Sequence, residues 1–147
     1  MNRNNISTGN AGEYFVAGEL ERHGYTVAVP MSNTKDFDIL AINRKNNQHF
    51  AIQVKTTSQS AKRWTLNKKN EKLFGNTIFY VFVSLKGLDN PEYHIVPSKI
   101  VADYIRNGHK KWLSTPGKNG QKHNDTDRRT FIDKDDEYLN NWECLNY

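Results

Sequence analysis

Two short segments dominate this sequence: DFDILA at residues 36–41 and AIQVKT at residues 51–56. Each mixes aliphatic, aromatic or β-branched residues with polar ones, a composition typical of a strand with one wet face. The polar stretch between them, Asn43–His49, indicates a turn. The sequence therefore predicts a β-hairpin with strands over Asp36–Ile42 and Phe50–Thr57.

The polar residues of this hairpin form a pattern that favours a chemical role. Period-two alternation places Asp36 and Asp38 on one face of the first strand, and Gln53 and Lys55 on one face of the second. Gln and Lys on a strand are most often only its wet side, so the weight lies in their combination with an acid on the neighbouring strand. Asp38 is embedded more deeply in apolar sequence and is the predicted ligand of a metal, whereas Asp36 is expected to be solvated.

A helix is predicted ahead of the hairpin, with an N-cap among residues 8–10. Glu13, Val16, Ala17 and Leu20 follow the spacing i, i+3, i+4 and i+7, so they share one helix face. A carboxylate on an apolar stripe is costly to bury unless it faces a cation or hydrogen-bond donors. Glu13 is therefore either an ordinary acid of the first turns, which the helix dipole favours, or an acid aimed at something positive.

The rest of the chain adds three strands and two helices around the hairpin. The apolar run within Asn76–Leu85 is continuous, which predicts a strand buried on both faces. Helices that flank a mixed sheet give an α/β (α+β) fold. The predicted elements are strands at Tyr25–Val29, Asn76–Leu85 and Tyr93–Val96, a helix from Ser98 to Gly108, and an acidic helix over Asp135–Asn146.

The order of these residues resembles the PD-(D/E)xK phosphodiesterase superfamily, and the segment 9–58 is similar to Holliday-junction resolvases and Mrr-like restriction enzymes. The matching residues are Glu13 in GEYFVA, Asp38 in FDIL, and Lys55 in QVK. The resemblance implies a restriction-endonuclease-like fold with a central mixed five-stranded sheet flanked by helices. The sequence departs from the usual motif at Phe37, in place of Pro, and at Gln53, in place of Asp or Glu.

The resemblance also implies a metal-dependent DNA endonuclease that hydrolyses phosphodiester bonds, with Mg²⁺ (or Mn²⁺) as cofactor. Asp38 would be the main ligand, and Gln53 with the backbone carbonyl of Val54 would complete the protein side. Lys55 would position the attacking water or stabilise charge on the phosphate, and Glu13 would orient a metal-bound water or bind a second ion. An amide is a weaker ligand than a carboxylate, so Gln53 places more of the charge compensation on the two acids.

Bulk properties agree with a DNA partner. The chain has 147 residues, which suits one domain over residues 1–147. Its net charge of +5 and pI of about 9.3 favour a polyanionic partner. The single cysteine, Cys144, excludes an internal disulfide, and the longest apolar run, Ile78–Val83, is too short to cross a membrane. We therefore expect a cytoplasmic protein without a membrane partner.

Two basic stretches, each containing a tryptophan, form the expected DNA footprint, on duplex or branched DNA. Basic residues among aromatic ones suit phosphate contact and base stacking, although we expect Trp64 and Trp112 to pack onto the core. DNA affinity should then fall steeply with salt. The candidate contacts are Lys62, Arg63, Lys68, Lys69, Lys110, Lys111, Lys118 and Lys122.

Several other functions lack support in the sequence. The five histidines are scattered, so a zinc site is not expected, and no phosphate-binding, dinucleotide-binding or acyl-transfer motif occurs. Two alternatives to an enzyme remain: a DNA-binding module of the same fold without catalysis, and an interaction protein that uses the aromatic C-terminal helix. A homodimer is also possible because a duplex has two strands to cut, although no segment marks an interface.

Overall fold

The computed structural model describes residues 4–30 and 37–145. This part of the chain contains two α-helices, seven strands and two short 3-10 helices. Their bounds are α1 Asn5–Arg22, β1 Tyr25–Ala28, β2 Ile39–Asn43, β3 His49–Thr57, β4 Arg63–Asn67, η1 Lys68–Lys72, β5 Ile78–Ser84, β6 Glu92–Pro97, α2 Ser98–Ser114, β7 Arg128–Ile132 and η2 Trp142–Leu145.

The main sheet has five strands in the order β1-β2-β3-β5-β6. Strand β3 runs parallel to β5, and the other neighbours are antiparallel, so the sheet is mixed. Helices α1 and α2 pack on its opposite faces. The predicted α+β class and the predicted five-stranded mixed sheet are confirmed.

The two faces of the sheet carry separate hydrophobic cores. Val16 and Leu20 of α1 pack with Val81 and other residues on one face, whereas Val101 and Ile105 of α2 pack on the other. Strand β5 contributes alternate residues to both cores, so the prediction that its apolar run is buried on both faces is confirmed. This sheet is the rigid frame that positions β3.

A second, two-stranded sheet is formed by β4 and β7, within or next to the two basic stretches, for which no strand was predicted. Strand β4 has alternating exposed and buried residues, and the buried ones, Trp64 and Leu66, join the core under α2. The indole Nε1 of Trp64 donates a hydrogen bond to the carbonyl oxygen of Val83 at 2.9 Å. The expectation that Trp64 packs onto the core is confirmed, and its strand was missed.

The predicted C-terminal helix over Asp135–Asn146 is wrong. Asp136 and Asn140 have positive φ angles, which interrupt a helix, and the only helical turn described there is η2. The Asp133 carboxylate accepts hydrogen bonds from the backbone N–H groups of residues 137 and 138, which fixes a tight turn. Trp142 is buried against the α1 side of the sheet, so the aromatic surface proposed for a protein partner does not form.

Element boundaries also differ from the predictions. The N-cap of α1 is Asn4, whose side chain accepts from the backbone N–H of Ile6, so the helix begins before residues 8–10. Helix α2 continues through Gly108 to its last residue, Ser114. Strand β2 begins at Ile39, and Asp36 lies outside the described residues. No helix in the described ranges has the length and apolar character needed to cross a membrane.

Candidate active site

The site lies where β3 extends beyond its neighbour β2. Pairing between these strands ends at Ile39 with Ile52. On its other side β3 remains paired with β5 as far as Thr57 with Ser84. From Gln53 onward, the edge of β3 that faces β2 therefore has no strand against it among the described residues. We call this the open edge of β3, and side chains from elsewhere can occupy it.

Asp38 occupies this edge, in a bend directly before β2. Its backbone N–H donates to the carbonyl oxygen of Ile52 at 2.9 Å, and its Oδ2 accepts from the backbone N–H of Val54 at 2.7 Å. Because Ile52 is already opposite Ile39, two consecutive residues face one residue of β3, as in a bulge. The period-two alternation of β2 therefore does not extend back to Asp38. The carboxylate of Asp38 instead lies against the edge of β3.

The backbone of Val54 presents an oxygen beside this carboxylate. In a strand, the N–H and C=O groups of one residue point to the same side. Since the N–H of Val54 bonds to Asp38, its carbonyl also points to the β2 side of β3, away from β5. The Asp38 carboxylate and the Val54 carbonyl, which the resemblance implies as metal ligands, therefore lie on the same edge of β3.

Gln53 and Lys55 lie on the β3 face opposite Ile52 and Val54, which belong to the core under α1. Gln53 is buried, with 7% of its surface exposed, and Lys55 is half-buried. Within residues 4–30 and 37–145 the ammonium of Lys55 forms no hydrogen bond or ion pair. Its ammonium is therefore available to a ligand, and its role stays a prediction.

Glu13 reaches the same region from α1. Burial raises the pKa of Glu13, the negative charge of Asp38 raises it further, and the positive charge of Lys55 partly offsets both. The Glu13 carboxylate is therefore within electrostatic range of both Asp38 and Lys55. No described residue forms a hydrogen bond or ion pair with the Glu13 carboxylate. The structure thus leaves the Glu13 carboxylate half-buried and near another acid, and its role stays a prediction.

The position of Glu13 depends on a close contact between α1 and β3. Gly12 is buried against Thr56, and an ideal Cβ atom on Gly12 would lie 1.8 Å from Thr56 Oγ1. Only glycine permits this approach of helix to strand. The sequence analysis missed Gly12, and its one signal is a glycine inside an otherwise helical pattern, next to the candidate acid.

Solved structures share this architecture. The bacterial homing endonuclease I-Ssp6803I matches with a TM-score of 0.56 and 11% identity, over 97% of this chain and 91% of its own. The Holliday junction resolvase Hjc of Archaeoglobus fulgidus matches with a TM-score of 0.50 and 12% identity, over 85% of this chain and 84% of its own. The chain has the restriction-endonuclease-like fold.

A search with protein-family models and with curated protein sequences gives no match. At the low identities of the structural matches, the likeness concerns the restriction-endonuclease-like fold alone. The chemistry of the site therefore depends on the residues that this chain itself places there.

The donor set suits a hard divalent cation. Among the described residues, no group of three or more His, Cys, Asp or Glu side chains could hold a metal ion. The predicted set instead has two carboxylates, from Glu13 and Asp38, with the Val54 carbonyl on the same edge of β3 as Asp38 and the Gln53 amide on the adjoining residue. Mg²⁺ prefers oxygen ligands and keeps several waters, so it needs few carboxylates. The two acids repel each other, as the raised pKa of Glu13 indicates, and a cation between them would relieve that repulsion.

In this version of the restriction-endonuclease-like fold, pairing of β4 with β7 brings the two basic stretches together. Strand β4 lies between Lys62 and η1, and β7 follows the basic loop after α2. Lys62 is held by Asp136, which raises the pKa of Lys62 through a hydrogen bond. The other seven predicted DNA contacts are exposed: Arg63, Lys68, Lys69, Lys110, Lys111, Lys118 and Lys122.

Trp112 does not pack onto the core as expected. It is 41% exposed, and its ring stacks with His123 at 4.1 Å and with His109 at 5.6 Å between ring centroids. The sequence could not predict that Trp112 stacks with both histidines, because a loop separates His109 from His123.

Proposed function

We propose that this protein is a Mg²⁺- or Mn²⁺-dependent DNA endonuclease that hydrolyses phosphodiester bonds. The feature that supports this most strongly is the Asp38 carboxylate on the open edge of β3, bonded to the Val54 N–H, with Glu13 near enough for the charges of Asp38 and Lys55 to affect its pKa. Both structural neighbours are named as DNA-acting nucleases, a homing endonuclease and a Holliday junction resolvase. The surplus of exposed cations supports DNA as the substrate.

Each residue of the site has a distinct role in this proposal. Asp38 and the Val54 carbonyl would hold the metal, with Gln53 as a neutral ligand and Glu13 as a second acid. When bound, the metal supplies a lowered pKa for a coordinated water and neutralises charge on the scissile phosphate. Lys55 donates hydrogen bonds to the attacking water or to the phosphate oxygens as their negative charge increases.

Single substitutions at Asp38 and Lys55 test this proposal. Asp38→Asn keeps an oxygen that can accept from the Val54 N–H but removes the charge, so the fold should persist. We expect Asp38→Asn and Lys55→Ala each to lower the cleavage rate at least about 100-fold. The matched control is Lys45→Ala, an exposed lysine in the β2–β3 turn. Plasmid, single-stranded and branched DNA should be assayed over a titration of Mg²⁺ and Mn²⁺.

Metal binding can be measured independently of cleavage. A metal that binds only the folded protein stabilises it by about 2.7 kcal/mol at one hundred times its dissociation constant. Mg²⁺ should therefore raise the unfolding temperature of the wild-type protein and of Lys45→Ala, and leave that of Asp38→Asn nearly unchanged. Cleavage by Asp38→Asn at the wild-type rate would refute the proposed site.

A DNA-binding module without catalysis is the second candidate. The observation in its favour is Gln53, a buried amide at a position where the resemblance leads one to expect a carboxylate. Salt-dependent binding of DNA, with no cleavage at any metal concentration, would select this function over the endonuclease.

A further inference from the structure

A second concave site lies away from the open edge of β3. It is formed by the C-terminal half of α2 and the β4–β7 sheet, and it encloses about 860 Å³. This volume lies within the range of pockets that bind small molecules. The proposed catalytic residues do not line it, so the endonuclease mechanism gives it no role.

The walls of this α2–β7 pocket combine apolar and aromatic surface. Ile105 and Ile132 contribute aliphatic surface to its lining. Tyr104 packs against Phe131 at 4.8 Å between ring centroids and still leaves 41% of its surface exposed. Trp112, exposed to the same extent, also lines the pocket. Large aromatic rings left open beside apolar surface are suited to stack a planar group.

The same pocket carries uncompensated positive charge. Arg63, Lys111 and Arg128 line it, and none of these three cations forms an ion pair with a carboxylate in the described parts of the chain. Arg129, by contrast, is buried and bonded to Glu71. The pocket therefore offers aromatic rings for a planar group and free cations for an anionic one.

We propose that the α2–β7 pocket binds an unpaired nucleotide of the DNA substrate. The base stacks on Tyr104, and Arg63 and Arg128 contact the adjoining phosphates. A base within a duplex must first be unstacked and unpaired, so a single-stranded tail, a gap or a branch point supplies this ligand at the lowest cost. This inference rests on the proposed function in one respect, that DNA is the partner.

The test compares two DNA probes without divalent metal, in EDTA, so that cleavage plays no part. One is a labelled duplex with a short single-stranded tail, and the other is the same duplex with blunt ends. Stacking of one base on an aromatic side chain typically changes affinity about 5- to 150-fold. We expect the wild-type protein to bind the tailed probe about tenfold more tightly, and Tyr104→Leu to lose that preference.

Two further variants separate stacking from general damage. Phe74→Leu alters a ring that is 44% exposed and does not line the pocket, so it should keep the preference. Arg128→Gln, at an exposed position on β7, should weaken binding of the tailed probe and reduce its dependence on salt. Thermal unfolding of each variant shows whether it is folded.

Three results would overturn the inference: equal affinity of the wild-type protein for both probes, a tail preference that survives in Tyr104→Leu, or its loss in Phe74→Leu. These results are independent of cleavage. A protein that prefers the tailed probe but never cuts DNA would support the pocket and refute the endonuclease. A protein that cuts DNA without any preference for unpaired bases would do the reverse.

Discussion

Substitution of Gly12 by alanine offers a direct test of how α1 positions the site. The added Cβ would lie 1.8 Å from Oγ1 of Thr56 and 2.8 Å from both Cβ and Cγ2 of the same residue. Rotation of the threonine side chain cannot remove the clash, because its β-branched carbon is itself too close. The helix must therefore move away from β3 by roughly 1 Å before the contact becomes tolerable.

The expected magnitudes separate stability from activity. Overpacking of this kind costs about 1–3 kcal/mol, and the better helix propensity of alanine returns about 0.5–1 kcal/mol. The free energy of unfolding should thus fall by about 1 kcal/mol, and by no more than about 2.5 kcal/mol. Glu13 is the next residue and moves with the helix, and a misplacement of about 1 Å at an active site can cost about 100-fold in rate. Cleavage should therefore fall far more than stability does.

Urea unfolding and metal-dependent cleavage measure the two effects. The matched control is Gly18→Ala in the same helix, where the added Cβ would meet no atom within 4 Å. In this control the free energy of unfolding should rise by about 0.5–1 kcal/mol, and the cleavage rate should stay unchanged. The double variant with Thr56→Ala removes the closest clashing atoms and should recover part of both losses. If Gly12→Ala behaves like Gly18→Ala, the close contact does not position Glu13.

Two further predictions concern charged groups. Glu13→Gln should make the protein more stable at neutral pH, by no more than about 1 kcal/mol after solvent screening, because the raised pKa of Glu13 means that its ionisation costs stability. The advantage should shrink as the pH falls and vanish below 4.5, the ordinary pKa of the group, and a variant that is less stable at pH 7 would contradict this. Glu71→Ala should lower the free energy of unfolding by about 3 kcal/mol, because it leaves the guanidinium of Arg129 buried without a carboxylate. The control Arg128→Ala, on the exposed face, should lower it by under about 0.5 kcal/mol in the same urea unfolding assay.

Local sequence patterns were sufficient to predict the central sheet. The continuous apolar run of β5 and the hairpin of β2 with β3 depend on periodicity that short segments carry. Candidate site residues could be proposed because chemistry within each segment is unusual, as with Asp38 in apolar sequence. Short patterns could not predict the bulge-like pairing directly before Ile39. That pairing depends on where the first residue of β2 lies against β3.

The missed elements depend on contacts between distant segments. Trp64 and Leu66 alternate with polar residues as a strand requires, but β4 pairs only with β7, and the surrounding basic residues obscure the pattern. The false C-terminal helix had a real apolar pattern. The apolar residues of this segment pack into two different cores, because Tyr138 lies on the α2 side of the sheet and Trp142 on the α1 side. One straight helix could not supply both sides of a sheet, so the chain turns instead.

The pairing of β4 with β7 ties the final segment of the chain to the middle of the sequence. A protein shortened to end before Arg128 would retain every strand of the main sheet and the carboxylate edge of β3. It would leave β4 with no strand partner and remove one wall of the α2–β7 pocket. Under the proposed function, the C-terminal segment would thus supply part of the nucleic-acid surface, and its buried residues Phe131, Trp142 and Leu145 also join it to both cores of the sheet.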